Sequence, residues 1–154
     1  EHGPKGGDEI DFLTKEQLNK DLSENNYGWP ISSYGEHYAH PGGKHYYKIA
    51  PLNKSHKEFG YIEPVKYFVP SVAPSQLIKI DNKIYQGTLG WDLSRDGVNS
   101  ILVFTLNDKL NIINEEKIFL GHRVRDIKFH ETLGKILFFL ENGGLIGVLE
   151  DISQ

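Results

Sequence analysis

The chain has 154 residues, with 17 Lys plus Arg against 21 Asp plus Glu and a formal net charge of −4. That length suits one ordinary domain with a buried core, and the acidic balance, with no long basic run, argues against a general nucleic-acid-binding surface. Cysteine is absent, which excludes disulfides and thiolate metal sites without assigning a compartment, and the longest apolar runs, such as residues 136–140, fall far short of the roughly 20 residues of a membrane-spanning helix.

Methionine is also absent and residue 1 is Glu, so Glu1 is not expected to be a translation start, nor residues 1–10 a signal peptide. Residues 1–10, EHGPKGGDEI, carry four Gly or Pro before two acidic residues and predict an irregular, closely packed loop. Thr14 opens a capping-box pattern with Gln17 at the third position, and Leu18 and Leu22 follow at helical spacing, predicting one short helix over 14–24. From residue 25 to about 75 the chain is rich in Gly, Pro, His and Tyr, with strand-like patches only at 46–49 and 65–69. Long irregular stretches of this kind in compact proteins are often binding loops.

After Ser75 the pattern changes to short apolar runs separated by turn residues. Strands are predicted at 77–80, 84–89, 100–106, 112–113, 117–120, 124–129, 135–140 and 145–149, the last three joined into a meander by turns at 132–134 and 142–144. The domain plan is therefore a loop-rich segment, 1–75, followed by β-meanders over 76–154. The hairpin patterns starting at Leu77 and Asp126 resemble each other, and their Lys-Ile pairs, Lys83-Ile84 and Lys135-Ile136, lie 52 residues apart. That spacing suits a propeller blade of about 40 to 50 residues, although any two hairpins share this much likeness. About three blades fit in the chain, fewer than closed rings use, so further blades or a second chain would be needed to cover the open sheet edges. A self-contained β domain that dimerises through those edges is the simpler alternative.

Several residue groups could carry chemistry. The Gly3 and Pro4 carbonyls and the carboxylates of Glu1, Asp8 and Glu9 are the oxygen donors that Ca²⁺ prefers, while a solvated glycine-rich turn is the plainer reading. NYGWP, residues 26–30, reads as an aromatic-stapled turn with Trp29 packed on a blade. His37, His40, His45 and His56 invite a transition-metal site, but E-H-Y-A-H fits no zinc spacing and loop histidines more often face solvent. HRVRD, residues 122–126, places Arg123 and Arg125 two apart on a strand, so both guanidinium groups leave one face of the sheet. Paired Arg forks suit a ligand with several carboxylates, or else a salt-bridge stripe with Asp126 or Glu131.

The strings EHGPKGGDE, NYGWP and HRVRD, in this order, resemble the later part of the soluble quinoprotein glucose/sorbosone (aldose sugar) dehydrogenases. The resemblance implies an all-β fold, a partial six-bladed β-propeller of about three blades with the short helix as an insertion, and identifies the chain as a carboxy-terminal half. It implies pyrroloquinoline quinone (PQQ) and Ca²⁺ as cofactors, an aldose sugar oxidised at its C1 hydroxyl, and a periplasmic or secreted location. By resemblance Gly3 and Pro4 would ligate the Ca²⁺ that contacts the quinone, Glu9 and Tyr27 would hold a further Ca²⁺, and Tyr38, Arg123 and Arg125 would contact the quinone. Ser71, in YFVPSVAPS, matches a residue that approaches the cofactor, or lies in a connection stiffened by Pro70 and Pro74.

The chain departs from the family pattern in three ways. Gly90 stands where the family usually has a quinone-pairing lysine, the predicted helix lengthens the link between GGDE and NYGWP, and no residue matches the general-base histidine of earlier blades. On this reading the isolated chain supplies cofactor and cation contacts without turnover. A non-catalytic propeller that binds carbohydrate or protein is the competing expectation.

Overall fold

A computed structural model describes residues 1–21, 25–38 and 52–150. The expected strand patch at 46–49, and His40 and His45, lie outside these residues. The chain divides into two compact units, Glu1–Ser71 and Val72–Gln154.

In the first unit, β1 (Asp8–Ile10) pairs antiparallel with β2 (Lys66–Phe68), Glu9 lying opposite Tyr67. The expectation of an irregular loop over residues 1–10 is thus corrected for its last three. Asp8, Glu9 and Ile10 are all buried, an unusual burden for two carboxylates, and polar composition hid this strand from sequence patterning. The glycines before it serve the approach: Gly6 and Gly7 have φ of 82° and 70°, and a Cβ on Gly7 would lie 2.3 Å from the Gly35 nitrogen.

The helix α1 (Lys15–Leu18) begins as predicted. The Gln17 N–H donates to Thr14 Oγ1 at 3.1 Å and the Thr14 N–H donates to Gln17 Oε1 at 2.8 Å, completing the capping box. It ends at Leu18 with Asn19 as C-cap, short of the expected residue 24. None of its residues is buried, and a helix without a packed face is too short to sustain itself in water.

The second unit holds two antiparallel meanders. One is β3 (Pro74–Ile80), β4 (Lys83–Thr88), β5 (Ser100–Leu106) and β6 (Ile112–Phe119), and the other is β7 (Val124–His130), β8 (Lys135–Leu140) and β9 (Leu145–Leu149). The two Lys-Ile pairs of the weak repeat each open the second strand of their meander. The runs at 112–113 and 117–120 prove to be one strand: Asn114, Glu115 and Glu116 continue the ladder against Thr105, Phe104 and Val103. As the edge of its sheet, β6 accommodates these polar residues facing solvent, and charge on an exposed edge also discourages pairing with other chains.

The core of this unit lies between the meanders, where Tyr85, Ile101 and Val103 meet Val124, Ile127, Ile136, Phe138 and Leu140. A Cβ on Gly87 would lie 3.0 Å from both Val124 Cγ1 and the Val124 carbonyl, and Ser75 Oγ donates to that same carbonyl. The start of β7 is therefore held from β3 and β4, which fixes the segment carrying the two arginines.

Candidate functional site

In the first unit, the backbone turns the acidic residues toward one another. The Glu9 N–H donates to the Glu1 carbonyl at 2.9 Å, and the Gly3 N–H donates to Asp8 Oδ1 at 3.0 Å. Asp8 also accepts from Ser71 Oγ, so the hydroxyl that resemblance would place near a cofactor is engaged by a buried carboxylate. Successive side chains of a strand point to opposite sides, so Glu9 leaves β1 away from Asp8, and Asp11, one residue past the strand, lies close to Glu9. Glu1, Glu9 and Asp11 each offer an oxygen within 4.8 Å of the other two.

Burial and mutual proximity disfavour the charged forms of Glu9 and Asp11. Burial, with Asp11 and Glu1 nearby, pushes the Glu9 carboxyl up to about 8, and burial beside Glu1 raises that of Asp11. Tyr27 is also raised, by burial and then by Asp11 and Glu1. Glu9 Oε1, Asp11 Oδ1 and the Tyr27 hydroxyl are buried with no hydrogen-bond partner among the described residues. Buried polar atoms in folded proteins are normally satisfied, and all-oxygen donors of high negative charge suit a hard cation such as Ca²⁺ rather than a soft metal.

Tyr27 is delivered by the NYGWP turn. The Gly28 N–H donates to Asn26 Oδ1 at 2.8 Å, the Ile62 N–H donates to the Asn26 carbonyl at 2.9 Å, and a Cβ on Gly28 would lie 2.1 Å from Ser32 Oγ. Trp29, expected to pack on a blade, is 55% exposed instead, so the turn is fixed by Asn26 and Gly28 rather than by its indole. Tyr38 is 56% exposed.

His56 corrects the expectation of solvent-facing loop histidines. It is 1% exposed, with Nε2 3.4 Å from Glu9 Oε1, and neither ring nitrogen has a hydrogen-bond partner among the described residues. Its ring stacks on Tyr34 at 5.2 Å, and Tyr34 stacks on Tyr67 at 3.8 Å. Tyr34 in turn donates to Glu63 Oε2 at 2.7 Å; burial and this bond push its hydroxyl up to about 12.

In the second unit the arginines are arranged differently from the simple alternation expected. Arg123 precedes β7, and the pairing of β7 with β8 shifts register between Val124 and Asp126, leaving Arg125 in a bulge. Val124 and Ile127 are buried while Arg125 and Asp126 between them are exposed, the signature of one extra residue. The two side chains nevertheless converge, on Glu141 rather than on the expected Asp126 or Glu131. Arg125 donates to Glu141 Oε2 through Nη2 at 2.6 Å and Nε at 3.0 Å, and Arg123 Nε lies 3.5 Å from the same oxygen. Arg123 Nε and His122 Nδ1 are buried with no hydrogen-bond partner among the described residues, leaving donors that an anionic ligand could use.

Gly90 is closed to any side chain. A Cβ there would lie 2.3 Å from Val98 Cγ1 and 2.8 Å from Val98 Cβ.

Asp11 and Glu141 are the residues that sequence reasoning missed, and His56 it weighed only as one of four loop histidines. Asp11 follows Glu9 at strand spacing, a signal visible only once β1 is recognised. His56 and Glu141 are distant in sequence from the groups they meet, and no local pattern signals either meeting.

Together, the antiparallel meanders are blades of a partial β-propeller. A crystal structure from Thermus thermophilus, described as a candidate oxidoreductase (glucose dehydrogenase), shares the fold with a TM-score of 0.50 at 14% identity over 74% of this chain and 33% of that one. The model of the glucose/sorbosone dehydrogenase family matches residues 1–146, and the chain belongs to that family. A relative of uncharacterized function from Synechocystis sp. PCC 6803 is 28% identical over 132 residues, 83% of this chain and 27% of the relative. The chain thus spans about a third or less of the length of the proteins it matches. Among the described residues no helix is long and apolar enough to cross a membrane.

Proposed function

We propose that the chain is the cofactor-binding part of a PQQ- and Ca²⁺-dependent sugar dehydrogenase that oxidises the C1 hydroxyl of an aldose. The observation that carries this reading is the cluster of buried Glu9, half-buried Asp11 and exposed Glu1, beside three orphaned oxygens that include the Tyr27 hydroxyl. Family membership supports it, because the glucose/sorbosone dehydrogenases act on sugars of this class.

Glu9 and Tyr27 would hold one Ca²⁺ together with Glu1 and Asp11, and the Gly3 and Pro4 carbonyls would ligate the Ca²⁺ that meets the cofactor. Arg123 and Arg125, with Tyr38, would bind the quinone, the arginines by pairing with its carboxylates. When bound, the quinone supplies hydride acceptance and Ca²⁺ supplies Lewis acidity. This chain's own residues orient the cofactor and hold its charge; the general base would come from blades outside it, and the isolated chain would not turn over. The aldose is the partner of the whole enzyme, the ring is closed by further blades or a second chain, and the location is periplasmic or secreted.

Adding PQQ and Ca²⁺ to the product of the complete coding sequence and following aldose-dependent dye reduction tests the reading. An intact fold that binds no quinone would sink it. One observation favours a second reading, a non-catalytic propeller that binds carbohydrate or protein: the packing of Gly90 leaves no room for the lysine usual at that place. Quinone binding without sugar oxidation, together with affinity for an oligosaccharide or protein partner, would support that alternative.

A further inference from the structure

Glu141 follows directly on β8, and its N–H donates to the Arg123 carbonyl at 2.9 Å. The backbone bond fixes where its carboxylate begins, opposite the residue before β7. The bulge takes Arg125 out of the regular pairing of β7 with β8, and its guanidinium still reaches the same carboxylate as Arg123. One oxygen, Oε2, takes both Arg125 bonds, while Arg123 Nε stands 3.5 Å from it and unbonded. The two guanidinium groups therefore have unequal roles: Arg125 is pinned along one edge, and Arg123 is drawn near but keeps a buried donor open.

The geometry points to Glu141 as the positioning and specificity residue of the arginine pair, holding both guanidinium groups and cancelling one of their two charges so that the site favours a planar ligand with several carboxylates over a simple small anion. This rests on the reading of Arg123 and Arg125 as quinone contacts. With Glu141 in place the three groups sum to one positive charge, so a small dianion gains little from Coulomb attraction alone. A rigid ligand with carboxylates at fixed separation gains from donors already set in direction. Without Glu141 the site carries two positive charges on long side chains that are free to turn. Affinity then follows charge more than shape.

The test uses Glu141→Gln, which keeps size and removes charge, with Glu141→Asp as the conservative variant. Glu131→Gln is the control, removing an equal charge elsewhere on the same meander. In the complete protein, binding of PQQ and of inorganic sulfate is titrated, and the Nε–H signals of ¹⁵N-labelled arginine are recorded without ligand. Glu141→Gln is expected to weaken quinone binding by about fivefold, the range of a partly exposed ion pair, while sulfate binding holds or tightens. The Nε–H signal of Arg125 is expected to broaden or vanish. Glu141→Asp recovers part of the quinone affinity, and Glu131→Gln changes neither.

An unchanged ratio of quinone to sulfate affinity, with unchanged Nε–H signals in Glu141→Gln, overturns the proposal. If the wild-type protein binds no quinone while Glu141→Gln still releases Arg125, the quinone reading fails and the positioning role stands. Release of Arg125 with quinone and sulfate affinities moving in parallel overturns the specificity role.

Discussion

Glu9 and His56 face each other in the first unit at 3.4 Å, 5% and 1% exposed, with no hydrogen-bond partner for either imidazole nitrogen among the described residues. A carboxylate this deeply buried disfavours its own ionisation, so the position destabilises the metal-free fold unless something beyond His56 balances it. Glu9→Gln is therefore expected to raise the melting temperature of the metal-free protein by a few degrees and to abolish any further rise on adding Ca²⁺. Opposite effects of one substitution, read by thermal unfolding with and without a chelator, separate a cation ligand from a structural residue. A Glu9→Gln variant that still melts higher with Ca²⁺ would remove Glu9 from the site.

Asp11 shares that cluster while lying outside the motif that the family resemblance supplies. In the proposed Ca²⁺ site Asp11→Asn would remove one negative ligand, and the expected weakening of Ca²⁺ binding is about tenfold. Terbium luminescence excited through tyrosine reads the affinity directly, since the Tyr27 hydroxyl belongs to the same group of orphaned oxygens. For the unaltered protein, Ca²⁺ at about a hundred times its Kd adds about 2.7 kcal/mol to stability. Equal terbium affinity in the two proteins would exclude Asp11 as a ligand.

His56 also fills space, as the end of a stack with Tyr34 and Tyr67. His56→Ala leaves a cavity and is expected to cost about 2 kcal/mol or more in denaturant unfolding. His56→Phe keeps the ring and recovers much of that loss.

Tyr34 gives the pH prediction. Its hydroxyl moves from the ordinary value of 10 up to about 12 through burial and its bond to Glu63. A raised folded value means that the folded state holds its proton after the unfolded chain has released it. Stability contributed by Tyr34 is whole below pH 10 and falls as pH rises from about 10 to about 12. Absorbance of tyrosinate should show a component titrating near 12 that Tyr34→Phe removes, and the alkaline loss of stability should flatten in that variant. Titration of every tyrosine near 10 would contradict the half-buried Tyr34–Glu63 bond.

Gly90 gives the last substitution. A Cβ at that place would meet Val98 within 2.3 Å, so even Gly90→Ala is expected to cost about 1–3 kcal/mol by overpacking. Gly90→Lys should destabilise rather than strengthen quinone binding, and Val98→Ala made with Gly90→Ala should recover part of the loss. Additive costs in that double-mutant cycle would show that the two residues do not meet.

The sequence alone carried the family, the meanders of the second unit and the start of α1, because each is a local pattern: motif order, alternation with turn residues, and a four-residue capping box. It missed β1, since two buried carboxylates read as loop, and it split β6, since an edge strand tolerates polar residues that interrupt an apolar run. It named Glu9, Tyr27, Arg123 and Arg125 by resemblance but could not say what faces them. Only the tertiary structure brought Asp11 and His56 to Glu9 and turned both arginines onto Glu141. Those meetings depend on burial, on a one-residue bulge and on backbone bonds between segments far apart in the chain, and none of these leaves a periodic trace in the residues themselves.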